Sequence, residues 1–205
     1  SIPAGGTLQQ AQCKINEMAK IKEKLEIPEE VSNVSRVLSS TKFENYLVGG
    51  CVRDLLLEKE PKDWDLTTIA TPEEITPLFE HTFYENDYGT VGIVNDNPPK
   101  ESLRVIEVTP FRTESVYSDF RRPDEVKWSK TLDEDLKRRD FTINALAYDL
   151  TSGEVIDLFD GRSDLKNKLI RTVGDPNERF GEDALRILRA IRFAAELNFA
   201  IESET

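Results

Sequence analysis

The sequence predicts an α+β domain, a small mixed sheet flanked by helices, that passes into helices toward its C-terminal end. Three observations predict it. Short β-rich runs recur at 46–48, 65–68, 89–94 and 103–109, each stopped by turn-forming residues. Between them lie stretches whose apolar residues repeat at helical spacing. The segment from Glu182 to Leu197 is plainly helical, with Leu185, Leu188, Ile191 and Ala195 on one stripe and arginines beside it.

In chain order, residues 8–26 are polar and rich in Lys and Glu with irregular Ile, Met and Leu, which predicts a mobile or loosely helical lead-in. Pro28 sits where a first helical residue would, and Glu29 and Glu30 favour the positive end of a helix dipole. With Val31, Val34, Val37 and Leu38 following at helical spacing, a helix is expected over 28–39. Tyr46–Val48 reads as a buried strand ended by Gly49-Gly50, and 52–57 as a helical run. Asp65–Thr68 is a second strand, and Thr71-Pro72-Glu73-Glu74 has the residues of a helix start. The runs 89–94 and 103–109 enclose Asn95-Asp96-Asn97-Pro98-Pro99, so they form a hairpin. Residues 112–131 are polar and predict a long, mobile loop. Strands or short buried segments are expected at 143–148 and 155–159 around Thr151-Ser152-Gly153. The chain thus divides into a lead-in (1–27), a head (28–160) and the beginning of a helical neck (161–205).

A length of 205 residues with 38% hydrophobic and 32% charged residues suits one domain, or one domain with a helical extension, able to bury a core. No apolar run approaches the roughly 20 residues of a membrane-spanning helix, and no basic-then-apolar leader is seen. Cys13 and Cys51 match no metal or redox spacing and read as reduced thiols. A cytoplasmic setting is expected, with an organelle as the alternative. The net charge of −12 argues against a protein that coats nucleic acid. From Arg162 to Arg192, however, eight basic residues face five acidic ones, leaving +3. A local grip on RNA is compatible with that distribution.

Two constellations carry chemistry. In Gly49-Gly50-Cys51-Val52-Arg53-Asp54, paired glycines between strand and helix allow backbone N–H groups to approach an anion, and Arg53 could clamp a phosphate. Alone, the stretch reads first as a tight turn with a surface arginine. In Asp63-Trp64-Asp65, strand geometry puts both carboxylates on one face. Such a pair repels unless a cation or proton intervenes, and hard oxygen ligands suit Mg²⁺ or Mn²⁺. Two solvated aspartates in a turn are an equal alternative for that stretch taken by itself. The glycine turn upstream favours a nucleotide-plus-metal site. Glu107 interrupts an apolar β run, where a metal, an arginine or an edge position would account for it. His81, the single histidine, is expected to be structural or at the surface.

Residues 46–68, YLVGGCVRDLLLEKEPKDWDLTT, resemble the first motif of the class II tRNA nucleotidyltransferases, the CCA-adding enzymes, and of the related bacterial poly(A) polymerases. So do 138–146, RRDFTINAL; 160–165, DGRSDL, with 170–174, IRTVG; and 182–193, EDALRILRAIRF. Four motifs stand in the family's order across 46–193. The resemblance implies a polymerase-β-like nucleotidyltransferase palm followed by a helical neck. It implies that Asp63 and Asp65 hold two Mg²⁺ ions and that Glu107 completes the carboxylate set. Gly49, Gly50 and Arg53 would hold the triphosphate, and Arg139, Asp140 and Asn144 would recognise the ribose. Asp183 and Arg186, three apart on one helix face, would read the base of CTP or ATP without a template. An i,i+3 salt bridge is the plain alternative for that pair. Arg189 and Arg192 would contact phosphate or form a solvated face. Where members often carry a glycine in the 112–131 stretch, this chain has Phe120.

The implied reaction is CMP and AMP transfer from CTP and ATP to the 3′ end of tRNA or another RNA. CC-adding, A-adding and poly(A) polymerase activities share the motifs. A nucleotide- or RNA-binding module without catalysis is the reading from a different class, and the intact Asp63-x-Asp65 pair counts against it. The family continues past the position of Thr205 with helical regions that hold tRNA. Nothing in the sequence calls for a membrane or an obligate protein partner.

Overall fold

The computed structural model describes residues 20–84, 89–115 and 125–205. Cys13, most of the lead-in, and the centre of the 112–131 stretch with Tyr117 and Phe120 lie outside those residues. The strands up to the hairpin arms are β1 (Lys20–Lys22), β2 (Asn45–Val48), β3 (Trp64–Thr68), β4 (Thr82–Tyr84), β5 (Val91–Val94), β6 (Val105–Pro110), β7 (Arg112–Ser115) and β8 (Glu125–Trp128). Then come β9 (Leu146–Asp149), β10 (Glu154–Asp157), β11 (Leu169–Ile170) and β12 (Ala200–Ile201). Eight of them form one mixed sheet in the order β1-β10-β9-β2-β3-β6-β5-β4. Among the described residues its only parallel pair is β3 with β6.

The helices follow from local chemistry. α1 (Glu29–Ser40) begins one residue after Pro28, carries Glu29 and Glu30 in its first turn and buries Val31, Val34 and Leu38. α2 (Gly50–Leu56) starts directly from Gly49, two residues earlier than its apolar run suggests. α3 (Pro72–Ile75) is opened by a capping box in which Thr71 and Glu74 satisfy each other's backbone N–H groups. α4 (Leu132–Lys137), α5 (Gly161–Asn167), α6 (Pro176–Glu182) and α7 (Leu185–Leu197) complete the set.

One face of the sheet carries the main core. Leu66 of β3, Ile106 and Val108 of β6 and Val91 and Ile93 of β5 pack there with Val31, Val34 and Leu38. Leu165, Ala190 and Phe193 join the same cluster, so residues after 161 share a core with the sheet. Burying each large aliphatic side chain contributes about 1.5–3 kcal/mol. The opposite face is covered only in part: Val48, Ala147 and Ile156 pack with Phe111, Leu132 and Leu136. Alternation along β6 instead leaves Val105, Glu107 and Thr109 half-buried on that second face, with Ile106 and Val108 inside. The uncovered half of the sheet is where the candidate site lies.

Three expectations need correction. Residues 20–22 of the lead-in are an edge strand paired with β10; a three-residue exposed strand has no pattern of its own and exists through its partner. The 112–131 stretch is not wholly a loop, because its ends pair as β7 and β8 from Arg112↔Trp128 to Ser115↔Glu125. The helix expected from Glu182 is broken, since Asp183 is extended (φ −142°, ψ 107°) between α6 and α7. The stripe of Leu185, Leu188 and Ile191 is exposed, whereas Arg186, Ala190 and Phe193 are buried.

The stretch resembling the third family motif is scaffolding. The Asp157 carboxylate accepts the N–H groups of Gly161 and Arg162 at 2.9 Å each, capping α5. Asp164, buried in that helix, accepts from Thr142 Oγ1 (2.5 Å) and Arg171 Nε (2.9 Å). Gly161 is required for packing, because a Cβ there would lie 2.3 Å from the carbonyl oxygen of Thr142. Gly161→Ala is therefore expected to lose about 1–3 kcal/mol of stability, measured by urea unfolding, with the largest changes around 142–144.

Candidate active site

The turn after β2 sets the site. Gly49 adopts φ +79°, a conformation open to glycine at no steric cost. A Cβ there would also approach Arg139 Nη1 to 2.9 Å. The turn delivers α2 with Arg53 one turn in, its N–H bonded to the Gly49 carbonyl at 3.1 Å. Arg53 is held on three sides. Its Nε and Nη2 lie 2.8 Å from Asp54 Oδ1, its Nη1 donates to Asn144 Oδ1 at 2.7 Å, and its guanidinium stands 5.2 Å from the Phe193 ring centroid.

The hydrogen bonds continue from there. Asn144 Nδ2 donates to Asp140 Oδ1 (3.2 Å), which also accepts the Phe141 N–H (2.8 Å). Asp140 Oδ2 accepts Arg189 Nε (2.7 Å), and the Arg189 guanidinium too lies 5.2 Å from the Phe193 centroid. A polar chain thus runs from α2 through the 140–144 turn to α7, with Phe193 under two arginines.

Behind this wall Asp135 is fully buried. It receives Arg138 Nη2 at 2.7 Å and Arg139 Nη2 at 3.1 Å. Burial alone would raise its pKa, but the two adjacent guanidiniums outweigh this and hold it below the usual carboxylate value.

Asp65 lies in β3, while Asp63 stands just before it and is exposed. Both line a cleft of about 670 Å³ together with Gly49, Gly50 and Arg53. Arg139, Asp140 and Asn144 line it from the 139–144 turn, and Asp183, Arg186, Arg189 and Arg192 from the helical side. Of the thirteen residues singled out from the sequence, only Glu107 does not line this cleft. Glu107 stands directly beside Asp65 in the parallel register of β3 and β6.

Asp183 and Arg186 are not neighbours on one helix face. The Asp183 carboxylate accepts the Leu185 N–H at 2.9 Å, capping α7. Arg186 bonds to Glu182 (2.5 Å) and to the carbonyls of Arg179 (3.2 Å) and Arg138 (3.3 Å). Each reaches the cleft, but from its own anchor.

The cleft also contains Arg112, Arg138, Leu185 and Phe193, none assigned a role from sequence. Arg138 and Phe193 sit inside family-like motifs, a signal that was available. Arg112 had none, standing in a polar stretch whose pairing is tertiary. Seven arginines and four aspartates line the cleft of a chain whose net charge is −12. Such a pocket attracts polyphosphate while keeping a carboxylate pair at one end.

Two aspartates with water and substrate phosphates are sufficient ligands for Mg²⁺. Asp63 and Asp65 on one cleft fit that ion, although among the described residues no three His, Cys, Asp or Glu side chains converge as a cation cage. Cys51 takes no part as a nucleophile: burial, with Asp65's charge nearby, pushes its thiol up to about 12. His81 is on the surface, 3.4 Å from Asp96 and away from the cleft. A larger cavity of about 960 Å³ lies between 24–28, the end of α2 and Leu103, and none of the predicted site residues lines it.

The family model of the poly A polymerase head domain matches residues 45–171. The chain belongs to this family. A CCA-adding enzyme of Enterococcus faecalis is 54% identical to this chain over 177 residues, which cover 86% of this chain and 42% of the relative. Among solved structures, the Bacillus stearothermophilus CCA-adding enzyme in complex with CTP matches with a TM-score of 0.76 at 38% identity, covering 87% of this chain and 42% of that one. The Thermotoga maritima CCA-adding enzyme complexed with tRNA matches with a TM-score of 0.67 at 26% identity, covering 93% and 42%. The chain therefore has the mixed sheet flanked by helices of these enzymes and spans less than half of their length.

Proposed function

We propose that this chain is a template-independent nucleotidyltransferase, moving CMP and AMP from CTP and ATP to the 3′ end of a tRNA. One observation carries the reading: a single cleft gathers the glycine turn, the Asp63–Asp65 pair and the arginine-rich wall, residues spread over more than 140 positions. The names of the relatives supply the substrate. In this reading residues 28–160 form the head and 161–205 open the neck, and the reaction is cytoplasmic.

Gly49 and Gly50 admit the triphosphate close to the backbone, and Arg53, Arg189 and Arg192 offset its charge. Asp140 and Asn144 present a carboxylate and an amide to the ribose hydroxyls. Asp183 can accept a base amino proton while Arg186 donates to a ring nitrogen or oxygen, the complementary edge that cytosine and adenine share. Asp63 and Asp65 would hold two Mg²⁺, with Glu107 beside them, and ions so held would supply acidification of the RNA 3′-hydroxyl and charge neutralisation for the departing pyrophosphate.

The test is incubation with Mg²⁺ and labelled tRNA lacking its terminal CCA, with CTP, ATP or both, read as product length on a gel. Ordered addition of two C and one A is expected. C alone, A alone or a long A ladder would reassign the activity within the family. Nucleotide binding with no extension of any RNA would replace the reading by that of a binding module.

A further inference from the structure

We infer that Phe83 and Trp128 form a stacking platform for the single-stranded 3′ end of the RNA that is to be extended. This rests on the nucleotidyltransferase reading and adds to it where the acceptor strand lies. The register of the sheet carries the inference. Asp65 of β3 is opposite Glu107 of β6, Glu107 is opposite Gly92 of β5, and Gly92 is opposite Phe83 of β4. Directly opposite residues point to the same face, so one row across four strands runs from the candidate metal-binding carboxylate to an aromatic ring.

Gly92 makes that row flat. A Cβ at Gly92 would meet the Phe83 ring at 2.4 Å, so the ring lies down over the glycine with 42% of the residue exposed. A second glycine, three residues earlier and just before β5, also carries a ring. A Cβ at Gly89 would meet the Trp128 indole at 2.3 Å, and Trp128 is 43% exposed. Between the two glycines, Thr90 shares a 3.0 Å hydrogen bond with Thr109, which follows Glu107 by one pleat on the same face. Trp128 is also the register partner of Arg112, which lines the nucleotide cleft.

Two exposed rings seated on glycines give a surface that costs apolar exposure and contributes little to the main core, which lies on the other face. Flat π-faces beside a carboxylate row suit nucleobases, and stacking tolerates any base, as an acceptor end that changes with each addition requires.

The experiment measures the apparent KM for tRNA lacking CCA and, separately, equilibrium binding of CTP. Phe83→Ala and Trp128→Ala are each expected to raise the RNA KM about 10-fold or more, the scale of one lost base stack, with CTP affinity within about twofold. Phe83→Leu and Trp128→Leu keep the glycines covered and the fold intact yet cannot stack, so they should show the same rise. Phe83→Tyr and Trp128→Phe should restore near wild-type values. Leucine variants with unchanged RNA KM would overturn the platform while leaving the transfer activity standing. A wild-type chain that neither binds nor extends RNA would remove the activity and the platform together. Loss of RNA extension with equal loss of CTP binding would mean that the rings shape the nucleotide cleft, and would also overturn the inference.

Discussion

Asp65→Ala is expected to abolish nucleotide transfer, lowering kcat by about 10³-fold or more, while CTP binding and the thermal midpoint stay close to wild type. Asp65 projects from β3 into the cleft beside Asp63, whereas Trp64 and Leu66, the residues that fix the strand in the core, point the other way. The substitution therefore removes chemistry without removing packing. Loss of one carboxylate that holds a catalytic cation takes away charge stabilisation worth several kcal/mol at the transition state. The triphosphate would still meet the glycine turn and the arginines, which is why binding should survive. Single-turnover extension of labelled RNA at saturating CTP gives the rate, and equilibrium dialysis gives the affinity. A variant that turned over at the wild-type rate would make the carboxylate pair a surface feature and leave the binding-module reading. Glu107→Gln provides a graded comparison. Its register places it beside Asp65 but outside the cleft lining, so a smaller loss than that of Asp65→Ala is expected if it only supports the aspartates.

The parts of this site that sequence made legible are those whose geometry is local. The Gly49-Gly50 turn, the two-residue spacing of the aspartates and the Thr71 capping box depend on contacts within a few residues, and each is where the residue types predict. The interruption at Asp183 was hidden because Glu182-Asp183-Ala184-Leu185-Arg186 contains nothing that forbids a helix. What breaks it is the competing bond from the Leu185 N–H to the Asp183 carboxylate, together with the pull of Arg186 toward carbonyls 7 and 48 residues away. Arg186 also explains why the apolar stripe of α7 faces outward: the buried side of the helix is the one that closes the cleft. The β7–β8 hairpin was invisible for a related reason, since its strands are polar and are defined by each other. Phe111 anchors its base, donating its N–H to the Thr68 carbonyl (2.6 Å) and accepting from the Ser129 N–H (2.7 Å).

Asp135 is the residue whose importance the sequence concealed most, and its removal should have the second largest effect. In Asp133-Glu134-Asp135 it reads as one of three acids in the first turn of a helix, a common dipole-compensating feature. In the fold it is fully buried and is the shared counter-ion of Arg138 and Arg139, and its Oδ1 also lies 3.4 Å from the Arg112 N–H. Two segments of the cleft wall, at 112 and at 138–139, thus converge on one carboxylate. Asp135→Ala would leave two largely buried guanidiniums without their partner, which typically costs about 3–5 kcal/mol. Because Arg139 lies against Gly49 and the Arg138 carbonyl receives Arg186, nucleotide affinity should fall with stability. Asp135→Asn keeps the shape and an acceptor but loses the charge, so it should fall between wild type and alanine. The pH dependence identifies the cause. The folded pKa of Asp135 lies below the ordinary unfolded value of about 3.9. Its ionised form therefore stabilises the fold fully above that unfolded value, and the contribution is lost as pH falls through the lower, folded one. The gap in thermal midpoint between wild type and Asp135→Asn should accordingly be constant from pH 7 down to about 5 and narrow below about 4. A gap that persisted unchanged into strong acid would attribute the loss to altered packing at the amide and not to the two arginines.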